Sequence, residues 1–212
     1  ATLSTEAGHR PVIVKFSDRT DTASGRRWAD LLRAETCANR VLHEHGIATA
    51  DCAVLEAAGH GFLESTRFDR SAVLGRTGFI DLAAIDAAYY GHGSIRWQTF
   101  ADALERDGWI DGDDAASLRT IGWFGELIAN NDMHLGNAGL ILCDERPLRL
   151  APVYDMLPMR FRPSANGEVV ARNYDVPPPL PEQRDDWHRA AAAAGRFWRA
   201  VSEDAAISEN FR

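Results

Sequence analysis

The densest group of residues able to do chemistry is Asn130-Asn131-Asp132-Met133-His134-Leu135-Gly136-Asn137, with Asp155 following. Phosphoryl transfer asks little covalent work of a protein: it must position a hydroxyl, hold magnesium against phosphate and neutralise developing charge. Three oxygen donors gathered at one place serve that purpose. An Asp followed five residues later by Asn, with a further Asp downstream, has the D-x-x-x-x-N spacing of a kinase catalytic loop and its metal-binding aspartate. Asn and Asp also cap helices and shape turns, so the motif alone fits an ordinary loop as well. Metal-dependent hydrolysis at Asp132, His134 and Asp155 is a further use of the same side chains, although it gives no role to Lys15 or Glu35.

Of 23 basic residues, 22 are arginine, and the single lysine is Lys15. It lies in Val12-Ile13-Val14-Lys15-Phe16, a β-branched run expected to form a buried strand, where an ammonium needs a partner or a ligand. Glu35 falls on the inward face of an expected helix, three residues after Leu32 and three before Ala38. Burying that carboxylate is costly unless a cation meets it. Lys15 is one such cation, and a nearby arginine at the helix edge is the alternative.

The elements that must position these groups follow from periodicity and turn residues. Ala1 to Ser4, a turn from Thr5 to Arg10 and Pro11 to Phe16 suggest a hairpin. Ser24 offers an N-cap for a helix running to about His45 and stopped by Gly46, with Trp28, Leu31, Leu32, Ala38, Val41 and Leu42 facing inward. Val54 to Glu56 and Gly61 to Ser65 read as a second strand pair. Phe79 to Tyr90, Trp97 to Asp107 and Asp114 to Asn130 read as helices, with Gly91-His92-Gly93 as a connecting loop. Ala138 to Cys143 and Leu148 to Tyr154 suggest another hairpin, so Asp155 closes a strand pair. Asp185 to about Glu203 is the last expected helix, preceded by the Pro-dense stretch Val176 to Pro181.

The length of 212 residues and 45% apolar content allow one good core, or two lobes with a cleft. No run of apolar residues is long enough to span a membrane, and the expectation is a cytoplasmic protein. The net charge of −8 argues against direct nucleic-acid binding. Cys37, Cys52 and Cys143 form no C-x-x-C pair and read as reduced thiols. His9, His43, His45, His60, His92 and His188 share no metal-ligand spacing.

Asn131-Asp132-Met133-His134-Leu135-Gly136-Asn137 and Leu150-Ala151-Pro152-Val153-Tyr154-Asp155-Met156-Leu157 resemble the N-x-D-x-H-x-x-N and L-A-P-x-Y-D-L-L signatures of the HipA-like serine/threonine kinases. Val14-Lys15-Phe16-Ser17 and Arg67-Phe68-Asp69-Arg70 are similar to the lysine strand and hinge of that family. The resemblance implies an α+β, two-lobed protein-kinase-like fold: a strand-rich N-lobe over residues 1–65, a hinge over 66–70 and a helical C-lobe over 71–212. It implies phosphorylation of a protein serine or threonine with ATP and Mg2+ by a toxin-type kinase, several relatives acting on aminoacyl-tRNA synthetases under a DNA-binding antitoxin. Asp132 would be the catalytic base, and Asn137 and Asp155 the magnesium ligands. Lys15, tied by Glu35, would hold the α/β-phosphates, while backbone groups around Thr66 to Phe68 would meet the adenine. His134 fits ATP binding through a phosphate contact, positioning of the catalytic loop, or plain packing equally well. The family's Ser- and Gly-containing phosphate loop precedes its first hairpin, and residues 1–10 hold only Gly8, so that loop is expected upstream of Ala1. A pseudokinase that binds nucleotide without transfer and a small-molecule phosphotransferase of the aminoglycoside-kinase sort remain as alternatives.

Overall fold

A computed structural model of the chain describes residues 2–5, 8–71, 75–176 and 178–212. The opening hairpin pairs β1 (Thr2–Thr5) with β2 (Gly8–Phe16) in antiparallel register, Thr5 opposite Gly8. The turn residues 6–7 lie outside the described residues. After α1 (Ala23–Glu44) come β3 (Cys52–Ala57) and β4 (His60–Thr66), completing a four-stranded antiparallel sheet in the order β1-β2-β4-β3. Val12 and Leu63, on neighbouring strands, have no exposed surface, which is how β-branched and aliphatic residues anchor a sheet to its covering helix.

The N-cap of α1 is Thr22, two residues before the expected Ser24. Its hydroxyl oxygen accepts from the Gly25 amide at 3.0 Å, which satisfies one of the helix's free N–H groups. Leu31, Leu32, Ala38, Val41 and Leu42 are buried as expected, and Trp28 is half-buried. At the other end Gly46 takes a φ of +78°, the left-handed conformation that ends many helices. Gly25 itself sits so close to the chain that a Cβ would lie 2.0 Å from the Arg19 carbonyl oxygen. Gly25→Ala is therefore expected to cost about 2 kcal/mol by overpacking. Urea unfolding monitored by circular dichroism checks it, and an unchanged midpoint would show that the 18–22 loop yields without cost.

Beyond the short ribbon of β5 (Arg70–Ser71) and β6 (Gly75–Arg76), the chain departs from the sequence expectation. Phe79–Asp81 is a strand, β7, rather than the first turn of a helix, and it pairs with β8 (Gly139–Ile141). The helical pattern begins one residue later: the Asp81 side chain accepts from the Ala84 amide at 2.7 Å and starts α2 (Leu82–Tyr89). The expected second hairpin is shorter than predicted, with β8 paired to β9 (Arg149–Leu150) only. The following residues pair elsewhere. Val153 N–H donates to the Ala48 carbonyl at 2.9 Å and its own carbonyl accepts from Ala50 at 2.8 Å, so the segment leading to Asp155 is stitched to the entrance of β3.

The helices α3 (Trp97–Arg106), α4 (Gly112–Leu127) and α5 (Arg184–Glu203) join α1 in supplying the helical part of the core. α4 starts earlier than predicted because Asp111, read as part of a turn, caps it through the Asp114 amide at 2.8 Å. Phe124 on α4 meets Phe197 on α5 edge to face at 6.0 Å, with both rings fully buried. After α5 the chain returns to α1. Asp30 accepts from the Ser208 amide at 2.9 Å and from the Ser208 hydroxyl, and Arg27 donates to the Asn210 carbonyl at 3.2 Å. No helix among the described residues is long and apolar enough to cross a membrane.

Candidate active site

Lys15 projects from β2, and its ammonium finds carboxylates from two distant parts of the chain. Nζ donates to Glu35 Oε1 at 2.7 Å and Oε2 at 2.8 Å, and to Asp155 Oδ1 at 2.5 Å. All three donors of the ammonium are thereby used. The Glu35 side chain is 3% exposed, while Lys15 and Asp155 keep 31% and 35% of theirs open to solvent. Burial alone would lower the Lys15 pKa, but the two carboxylates outweigh it and hold the group above the ordinary lysine value. Burial pushes the Glu35 carboxyl up, and Lys15 draws it back only in part. The lysine, not an edge arginine, is the partner of the inward glutamate.

Asp155 reaches this position with a φ of +56°, a backbone conformation uncommon outside glycine and best tolerated by Asn and Asp. Such conformations cluster where a structure must aim a particular group. The carboxylate opens onto a cleft of about 390 Å³ that Lys15 and Glu35 share with Thr66, Phe68, Phe79 and Tyr154. Phe68 lies 5.6 Å from Phe79 and 5.8 Å from Tyr154, ring centre to ring centre, so three rings make one apolar wall. Loss of solvation pushes the Tyr154 hydroxyl up to about 12, with Asp81 and Asp155 adding to the shift. It stays a donor, and it bonds the Gly136 carbonyl at 2.9 Å.

That bond ties the cleft to the Asp132 loop. Asp132, His134 and Asn137 do not line the cleft itself. The Asp132 amide donates to Asn130 Oδ1 at 3.0 Å, and the Asp132 carbonyl accepts from the Asn137 side-chain amide at 3.0 Å. Both contacts use the backbone of Asp132 and leave its carboxylate outside the loop's internal bonding. Asn137 spends its N–H on the loop, which keeps its amide oxygen as a donor for a cation. His134 Nδ1 accepts from the Gly136 amide at 3.1 Å and so caps the short 3-10 turn Leu135–Asn137.

In the hinge expected over 66–70, the Thr66 and Arg67 amides are already bonded, to the Asp51 and Pro11 carbonyls. Thr66 Oγ1 accepts from Arg10 at 2.8 Å. Thr66, Arg67, Phe68 and Asp69 all line the cleft, and the Phe68 ring is the apolar part of what the hinge offers it. Arg67 and Arg70 both bond the Asp69 carboxylate, chiefly Arg67, and hold its pKa below the usual aspartate range. Among the described residues no three His, Cys, Asp or Glu side chains converge on a metal position. Hydrolysis on a metal held by Asp132, His134 and Asp155 has no such cluster to rest on. A carboxylate and an amide oxygen do suit magnesium, which keeps several waters and is bound by few protein oxygens together with substrate phosphates.

The sequence did not point to Phe79 and Tyr154 as parts of the cleft. Tyr154 had one signal, its place immediately before the expected metal ligand. Phe79 had none, because its strand exists only through pairing with β8, about 60 residues away.

Two solved structures share the fold of this chain. A solved complex of HipA, HipB and operator DNA from Shewanella oneidensis MR-1 contains a chain that superposes with a TM-score of 0.57 at 16% identity, over 94% of this chain and 51% of that one. The Helicobacter pylori proinflammatory kinase CtkA superposes with a TM-score of 0.60 at 12% identity, over 98% of this chain and 84% of that one. These likenesses show the two-lobed, kinase-like fold. In sequence, the chain is 36% identical over 209 residues to the toxin YjjJ of Escherichia coli strain K12 and spans about half that protein, 47% of its length. The family model of the HipA-like C-terminal domain matches residues 1–209, and the chain belongs to that family.

Proposed function

We propose that this chain is the nucleotide-binding and catalytic part of a toxin-type serine/threonine protein kinase. The observation that carries the reading is the single lysine of the protein, held by a buried glutamate from α1 and by Asp155 at the mouth of an aromatic-walled cleft. In this reading residues 66–70 are the hinge between a lobe over 1–65 and a lobe over 71–212. The ring of Phe68 packs on the adenine of ATP, with Thr66 at the edge. Lys15 gives up its bond to Asp155 and turns its ammonium to phosphate oxygens, while Glu35 keeps it aimed. Asp155 and the Asn137 amide oxygen would hold magnesium, which supplies charge neutralisation on the phosphates. Asp132 accepts the proton of the incoming serine or threonine hydroxyl, and His134 sets the shape of its loop. A protein substrate, a component of translation such as an aminoacyl-tRNA synthetase, and a DNA-binding antitoxin belong to the same reading, in the cytoplasm. The solved complex of the Shewanella relative with HipB supports the antitoxin.

The Lys15–Asp155 contact also fits a second reading, a nucleotide-binding module that transfers nothing, because this ion pair occupies the carboxylate a metal needs. Two measurements separate the readings. Magnesium-ATP is expected to raise the melting temperature of the chain, since a ligand at about 100 times its Kd adds roughly 2.7 kcal/mol to the native state. No shift at millimolar nucleotide would rule out both. Full-length protein given labelled ATP is then expected to label a protein acceptor, and a nucleotide-induced shift without transfer would leave the binding module. Transfer to a small aminoglycoside-like acceptor and not to protein would favour the small-molecule phosphotransferase.

A further inference from the structure

Near the start of α1 lies a second chemical group that the kinase reading leaves unused. Arg27 is 6% exposed, yet no ion pair engages it among the described residues. Its Nη1 donates to the Phe161 carbonyl at 3.0 Å, its Nη2 to the Asn210 carbonyl at 3.2 Å, and its Nε is buried without an acceptor. A guanidinium has five N–H donors, so these neutral contacts leave much of it unsatisfied. Asp30, one turn along the helix, gives both carboxylate oxygens to Ser208. Burial lowers the Arg27 pKa and Asp30 restores only part of the loss. A buried charge is ordinarily paired, because its lost hydration is otherwise uncompensated.

The Arg27 guanidinium lies over the Phe211 ring, 4.8 Å from its centre, in a cation–π contact that still leaves its charge without a counter-ion. The guanidinium borders a cavity of about 410 Å³, within the range of small-molecule sites. Phe161, Trp198 and Phe211 form its aromatic side, with Phe161 edge-on to each of the other two at 6.2 Å. Trp198 has already given its N–H to the Leu127 carbonyl at 3.1 Å, so it offers the cavity an apolar ring. Val169 lines the other side. The lining thus combines one buried cation with aromatic and aliphatic side chains.

We propose that this cavity binds a small organic monocarboxylate, with the carboxylate on Arg27 and an aromatic or branched apolar body against Phe161, Trp198 and Phe211. A planar carboxylate matches the guanidinium fork. One buried cation balances one negative charge, whereas a dianionic phosphate ester would bring a second charge into the same apolar surroundings. Arg172, the other arginine at the cavity, is half-buried, so part of its charge stays hydrated, and it donates to the Arg160 carbonyl at 2.8 Å. The site is independent of the kinase reading.

Isothermal titration of the full-length protein with phenylacetate, phenylacetamide and phenyl phosphate tests it. Phenylacetate is expected to bind at one site, and the neutral amide at least about tenfold more weakly, the equivalent of about 1.4 kcal/mol. Arg27→Gln is expected to abolish binding. Because that variant also loses contacts to Phe161 and Asn210, Val169→Trp serves as the second probe: it fills the cavity while leaving the Arg27 side chain unaltered, and it is expected to abolish binding too. No saturable heat up to about 10 mM, where even a weak small ligand registers, overturns the proposal. Equal binding of the amide, tighter binding of phenyl phosphate, or undiminished binding in Val169→Trp each overturns it as well.

Discussion

Asp132→Asn in the full-length protein is expected to reduce transfer of labelled phosphate to a protein acceptor by about three orders of magnitude, the scale of a positioned general base. The substitution keeps the shape of the side chain and removes its basicity. The loop should survive it, because the contacts made by Asp132 run through its amide and carbonyl, to Asn130 and Asn137. The melting temperature, and its rise with magnesium-ATP, should therefore match the wild type, since Asp132 does not line the cleft. Equal transfer by the variant would remove Asp132 from the chemistry. A collapsed melting temperature would mean that its carboxylate carries structure instead.

Lys15→Met is expected to act on stability and on binding together. It orphans Glu35, 3% exposed, and the cost is about 3 kcal/mol, the lower end for breaking a buried pair because Lys15 is itself 31% exposed. For a domain of this size that is roughly a 10 °C fall in melting temperature. The pH dependence identifies the cause. Burial already raises the Glu35 pKa, and without the lysine it rises further. An acid whose folded pKa is raised costs nothing while both states are protonated. The deficit of the variant should thus be small below about pH 4, near the ordinary glutamate pKa, and grow as pH rises above it. In the wild type the sign is the reverse for the lysine: its raised pKa supplies stability throughout neutral pH, lost only as pH climbs past the ordinary lysine value. Lys15→Met with Glu35→Leu should recover most of the loss, by replacing an orphaned charge with packing. The double variant should remain unresponsive to magnesium-ATP. A double variant as unstable as Lys15→Met alone would show that the ion pair is not the source of the cost.

The parts of this site legible in the sequence were those whose residue type conflicted with their surroundings. Lys15 in a β-branched run and Glu35 on an apolar helix face each required a partner, and each proved to be the other's. The elements followed the same logic: α1, α3, α5 and the first sheet lie close to where periodicity placed them. What stayed hidden depends on pairing across long separations. β7 looked helical because Phe79 and Ile80 lead straight into an apolar helix, and only Ile141 and Leu140 opposite them decide otherwise. The aromatic wall has the same origin, since Phe68, Phe79 and Tyr154 belong to three separate segments. Arg27 read as one more arginine in an arginine-rich chain. Its burial arises from Phe161 and Asn210, neither of which is near it in sequence.

The return of the chain end to α1 has a kinetic meaning. The helix that carries Glu35 is fastened near its start by Ser208 and Asn210, contacts that span 178 and 183 residues. Closures of that length form late, because the entropy of joining the ends is spent before the contacts repay it. On a ribosome, the segment bearing Lys15 and Glu35 emerges long before the residues that clamp it. A partly synthesised chain thus lacks these clamps on the Glu35 helix until residues 208–210 have emerged.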